Sequence, residues 1–172
     1  MLGQSLFDEC LELIRKWKPK KYSSEKEYEN ELRSFLIDEL NQKPNFYTGT
    51  SRNINVKSQS GKSLCDLNVG NLIGIELKLG KKGKISQGEK DRLDGQCRRH
   101  TKEYPQGIII VLVGDIDKYT FADIRETIAS LDKLINHGGI QLYPYPLGLV
   151  NKSFNKNLNF KKQDNFEFNF RI

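Results

Sequence analysis

An α/β fold is what this 172-residue sequence predicts, and three patterns carry the expectation. Two N-terminal segments repeat apolar residues at helical spacing. Two short alternating runs then meet at Gly70-Asn71, and beyond them GIIIVLVGD forms a continuous apolar run between two further helical segments. Runs of that kind belong to central strands buried on both faces, with helices above and below.

Leu2, Leu6, Cys10, Leu13, Ile14 and Trp17 define the first helix, which Pro19 ends. Ser23 or Ser24 caps the second, where Tyr28, Leu32, Phe35, Leu36 and Leu40 form a buried stripe and Pro44 closes the segment. Phe46 to Val56 reads as a first strand with a polar tip from Lys57 to Lys62. Gly61-Lys62-Ser63 has the ending of a phosphate-binding loop. Val56 stands where that loop needs its first glycine, and a strand follows where it needs a helix, so a nucleotide cofactor is not expected.

The stretch SLCDLNVGNLIGIELKLG, from Ser63 to Gly80, is a β-hairpin turning at Gly70-Asn71. Alternation puts Leu64, Asp66 and Asn68 on one face and Cys65, Leu67 and Val69 on the other. On the return strand Ile73, Ile75, Leu77 and Leu79 are the apolar face. Glu76 and Lys78 share the opposite face, roughly 7 Å apart at Cα. Asp66 then falls beside Glu76.

Ser86 begins a third helix reaching about Tyr104, with Leu93, Gln96, Cys97, His100 and Tyr104 facing inward. Gln96 on that face needs polar partners, such as an active-site water and a neighbouring carboxylate. After the buried strand comes a fourth helix from Phe121 to about Asn136, stopped by Gly138-Gly139. IQLYPYP is a last core strand, placed at a sheet edge by Pro144 and Pro146. Residues 1–150 form one domain. Residues 151–172 alternate Phe with polar residues around Lys161 to Asn165, a hairpin appendage whose apolar face suits the core or a dimer contact.

Composition narrows the function classes. Hydrophobic residues at 37% and charged residues at 29% are ordinary globular usage. LFDECLELIRKW is interrupted by acids and no run of about 18 apolar residues occurs, so a soluble, cytoplasmic protein without a membrane partner is expected. Cys10, Cys65 and Cys97 read as reduced core thiols. Cys97 and His100 have the spacing of half a zinc site, but no second pair follows in sequence, and structural zinc is not expected. Lys and Arg, 28 against 22 Asp and Glu, give a net charge of +6 that favours polyanionic partners. Lys81, Lys82 and Lys84 follow the hairpin, and Arg92, Arg98, Arg99 and Lys102 lie on the next helix. These seven are the candidate phosphate contacts.

Two carboxylates and a lysine on one hairpin suggest metal-assisted phosphodiester cleavage. A third carboxylate is expected on the second helix. Glu31 flanks the apolar stripe and Glu27 competes with it from farther round, while Glu29 borders the other side.

The order of helix with Glu31, strand with Asp66, strand with Glu76-Leu77-Lys78, helix with Gln96 and buried strand resembles the PD-(D/E)xK nuclease superfamily, with its restriction-endonuclease-like fold. The resemblance spans roughly Ser24 to Val113. Cys65 stands where the family pattern has its proline, and His100 where some relatives carry a tyrosine. The resemblance implies a three-layer α/β core with a central mixed sheet flanked by helices, and catalysis dependent on Mg²⁺ or Mn²⁺. It further implies that Asp66, Glu76 and the Leu77 carbonyl bind metal, that Glu31 holds a second metal or a water, and that Lys78 and Gln96 serve the attacking water.

The expected activity is a metal-dependent DNA endonuclease, structure-selective or weakly sequence-specific. Small dimeric Holliday junction resolvases are the comparison within the superfamily, and a homodimer is the expected assembly. The alternatives are a nucleic-acid-binding protein with this fold and no turnover, or a subunit of a larger DNA-processing complex.

Overall fold

Gly70 and Asn71 both adopt left-handed backbone, with φ of 60° and 59°, at the centre of a turn closed by the Leu72 N–H donating to the Val69 carbonyl at 3.0 Å. Asn68 reinforces the turn by accepting the Asn71 N–H at 2.8 Å. The turn joins two strands of a five-stranded sheet. The computed structural model describes residues 5–42, 44, 51–59, 64–137 and 145–154.

The elements run α1 (Leu6–Lys16), α2 (Glu25–Gln42), β1 (Val56–Ser58), β2 (Leu67–Val69), β3 (Ile73–Gly83), α3 (Gln87–His100), β4 (Gly107–Ile116), α4 (Lys118–His137) and β5 (Leu147–Asn151). Spatial order follows chain order. β1, β2 and β3 pair antiparallel, whereas β3, β4 and β5 pair parallel, so the sheet is mixed. Leu67 lies opposite Ile75, and Glu76 and Lys78 lie beside Ile110 and Leu112 of β4.

Two cores sandwich the sheet. On one face α1 and α2 bury Cys10, Ile14, Tyr28, Leu32, Leu36 and Leu40 against Ile73, Ile75, Leu77, Ile109 and Val111. On the other, Leu93 and Cys97 of α3 and Ile124 and Ile128 of α4 cover Ile108, Ile110 and Leu112. This is a three-layer α/β core. Truncating a fully buried leucine of either face to alanine costs about 2–5 kcal/mol.

The caps follow from the sequence. Ser5 and Ser86 accept from the Asp8 and Glu89 N–H groups at the starts of α1 and α3. Ser24 and Glu27 bond reciprocally before α2, with Glu27 accepting from the Ser24 N–H at 3.2 Å. Cys10, Cys65 and Cys97 are free and buried. Among the described residues no helix is long and apolar enough to cross a membrane.

Three expectations are corrected. Of the first strand expected over 46–56, residues 46–50 lie outside the described residues; among the described ones regular strand begins at Val56 and continues through Lys57 and Ser58, the residues to which the three-residue β2 offers partners. Of the strand expected over 140–146, residues 140–144 lie outside the described residues and Tyr145 and Pro146 are not strand; the last described strand is Leu147–Asn151, at the edge of the described sheet with β4 as its parallel partner. Cys65 does not share a face with Leu67 and Val69. Regular strand starts at Leu67, and the bend before it turns Cys65 into the α3 layer beside Tyr104. Leu2, Gly61-Lys62-Ser63, Gly138-Gly139 and the hairpin predicted within 155–172 lie outside the described residues.

Gly74 makes that last arrangement possible. A Cβ there would lie 2.6 Å from both the Cys65 sulfur and the Tyr104 ring. Gly74→Ala is therefore expected to lower the urea midpoint by an amount equivalent to about 1–3 kcal/mol, with an unchanged denaturant slope.

Candidate active site at the open edge of β3

β3 has eleven residues and β2 only three, so the C-terminal half of β3 extends past its neighbour. Backbone groups there need other partners. Asp66, one residue before β2, accepts the Leu77 N–H at 2.7 Å through Oδ2. Glu25, at the start of α2, accepts the Leu79 N–H at 3.0 Å through Oε2. A strand residue directs its N–H and C=O to the same side, so the Leu77 carbonyl points toward these two carboxylates.

Glu76 and Lys78 project from β3 into the α3 layer. They are 2% and 8% exposed, and Lys78 Nζ lies 2.6 Å from Glu76 Oε1. The other carboxylate oxygen, Oε2, faces His100 Nε2 at 3.8 Å. Gln96 lies against Glu76 and favours its charged form. Asp66, Glu76, Lys78 and Gln96 thus converge as the sequence predicts.

The helix carboxylate is the exception. Glu31 does not join the cluster; its Oε2 accepts the Lys20 N–H at 3.2 Å. Glu27 is occupied at the cap of α2. At about 100° per residue, Glu25 lies within the arc of Tyr28, Leu32, Leu36 and Leu40, whereas Glu31 and Glu27 fall off its edge. Extending the stripe one turn toward the N-terminus is the signal that finds Glu25. Glu29, also buried, pairs with Lys26 at 2.7 Å.

Crowding shapes the electrostatics. Burial and then the Glu76 charge push Asp66 up to about 6, against the Leu77 hydrogen bond and Lys78. Glu76 is raised by burial, although Lys78 and Gln96 oppose this. Glu25 is raised by burial, with Lys78 opposing and Asp66 reinforcing. Burial lowers Lys78, but the carboxylates around it, Glu76 foremost, outweigh that and its pKa is raised. Lys78 therefore stays a cation amid carboxylates whose repulsion is incompletely relieved.

Of the seven basic candidates all are exposed. Lys81, Lys82 and Lys84 form a tight turn directly beyond Lys78, closed by paired Lys81 and Lys84 backbone bonds of 2.8 and 3.0 Å. Arg92, Arg98, Arg99 and Lys102 line α3 and the turn after it, with Arg98 bonded to Asp94 at 3.1 Å.

No family model, curated protein or solved structure matches this chain. A functional reading therefore rests on the chemistry of the site itself. Asp66, Glu25 and Glu76 with the Leu77 carbonyl are hard oxygen donors suited to Mg²⁺ or Mn²⁺, and their mutual repulsion is what a bound cation relieves.

Asp66→Asn keeps an oxygen for the Leu77 N–H and removes the charge. An acid whose folded pKa, about 6, exceeds the ordinary 3.8 stabilises the fold only while protonated; that contribution is complete below the lower value and lost as pH rises through the higher. In EDTA the Asn variant should be more stable than wild type above pH 6 by on the order of 1–2 kcal/mol, the gap closing toward about pH 3–4. Thermal melts across that range measure it.

Proposed function

We propose that the protein is a metal-dependent endonuclease that hydrolyses DNA phosphodiester bonds. One observation carries the reading: a buried Lys78–Glu76 pair at 2.6 Å stands beside Asp66 and Glu25 where, among the described residues, β3 has outrun β2 and keeps a strand partner only on its β4 side. A pure phosphate-binding surface gains nothing from carboxylates at that point, since they repel the ligand.

Asp66, Glu76 and the Leu77 carbonyl are the residues that would hold the cation, with Glu25 in the part expected of Glu31. A divalent ion bound there supplies Lewis-acid polarisation of the phosphoryl oxygen and a water of lowered pKa. Lys78 sets its ammonium against the charge that develops on the phosphoryl oxygens, and Glu76 keeps that ammonium protonated and aimed. Gln96 orients the attacking water from α3. The lysine turn from Lys81 to Lys84 takes flanking phosphates, in a contact indifferent to base identity. Substrate choice therefore rests on backbone shape, and cutting both strands of a duplex calls for a homodimer with two such sites.

Cleavage of labelled single-stranded, duplex, flap and four-way-junction DNA, and of matching RNA, in Mg²⁺, Mn²⁺ or EDTA tests this. Metal-dependent cutting is expected, reduced about 100-fold or more by Lys78→Ala or Glu25→Gln in variants of verified fold, and held within about twofold in Glu31→Gln. No cutting in any metal, with salt-sensitive binding intact, would replace the enzyme reading by that of a binding module.

A further inference from the structure

The bend that carries Cys65 out of the hairpin's other face brings it to Glu76 and His100. One donor atom from each, the Cys65 sulfur, a Glu76 oxygen and a His100 nitrogen, lies within 4.8 Å of the other two, and all three residues are buried. Tetrahedral zinc, with bonds near 2.0–2.3 Å, sets its ligand atoms about 3.3–3.8 Å apart. The His100 Nε2 to Glu76 Oε2 distance is already 3.8 Å. Closing the remaining separations takes side-chain movements of about 1 Å or less.

Two further features point to a cation. Glu76 Oε2 and Gln96 Oε1 are both buried acceptor oxygens without a well-formed hydrogen bond. A buried carboxylate oxygen in that condition carries a desolvation penalty that a bound cation removes. Glu76 also has its two oxygens turned in different directions, Oε1 to Lys78 and Oε2 to the Cys65–His100 side.

We propose that Cys65, Glu76 and His100 form a second metal site, internal to the sheet–α3 layer, selective for a thiophilic divalent ion of the zinc class. A thiolate and an imidazole discriminate against Mg²⁺, which the all-oxygen edge of Asp66 and Leu77 suits. Of the Cys97–His100 pair singled out by its spacing, only His100 enters this cluster; the thiolate comes from Cys65 and the carboxylate from Glu76. The site shares Glu76 with the proposed catalytic edge, but its test does not depend on nuclease activity, because an all-oxygen site gives no thiolate-to-cobalt band.

Titration of the reduced, metal-free full chain with Co²⁺, followed by Zn²⁺, tests it by absorption. The expected result is a thiolate-to-cobalt charge-transfer band saturating at one equivalent, bleached by Zn²⁺, insensitive to excess Mg²⁺ and lost in Cys65→Ser but not in Cys10→Ser. Zn²⁺ should also raise the melting temperature of wild type and leave that of Cys65→Ser unmoved. A wild-type chain that shows no band overturns the site without reference to any variant. So does a band that persists in folded Cys65→Ser.

Discussion

The constraint on which the rest depends is the mismatch in length between β2 and β3. A strand that outruns its neighbour leaves backbone N–H groups without partners, and buried ones must be satisfied. Here the partners for Leu77 and Leu79 are the carboxylates of Asp66 and Glu25, from the approach to β2 and the first turn of α2. Completing the sheet and gathering negative charge are the same event. The carboxylates cannot drift apart without opening the edge of β3.

That arrangement would be poorly tolerated without Lys78. Glu76 is nearly inaccessible to water, and a lone carboxylate in such a place would take up a proton. The Lys78 ammonium at 2.6 Å opposes this, yet burial still raises Glu76, Asp66 and Glu25. Local rules of charge balance are thus strained where Glu76, Lys78, Asp66 and Glu25 meet, against a largely apolar core. Such a departure is characteristic of a site retained for chemistry.

Much of this was legible in the sequence, for physical reasons. The hairpin was readable because Gly70-Asn71 tolerates left-handed backbone and because strand alternation has a strict period of two, so register alone sets Asp66 against Glu76. Gln96 followed from helical spacing. Glu25 did not, since an acid in a helix's first turn ordinarily complements the helix dipole and carries no sign of a distant partner. The position of Cys65 was hidden because alternation holds only within a strand, and the chain is not yet a strand there. Among the described residues the pairing of β5 with β4 begins at Leu147, beyond Tyr145 and Pro146, where proline supplies no strand N–H, while the earlier part of IQLYPYP lies outside them.

The central claim is that the carboxylates completing β3 are also the ones that bind metal, and amide substitution separates the two roles because an amide oxygen can still accept the backbone N–H. Mn²⁺ binding, followed by electron paramagnetic resonance on wild type, Asp66→Asn and Glu25→Gln, is the direct measurement. Both variants should keep the wild-type fold and melting behaviour or gain stability, while Mn²⁺ affinity falls by about tenfold or more. Variants that bind Mn²⁺ as tightly as wild type would contradict the claim, and would make Asp66 and Glu25 structural caps of β3 and nothing more.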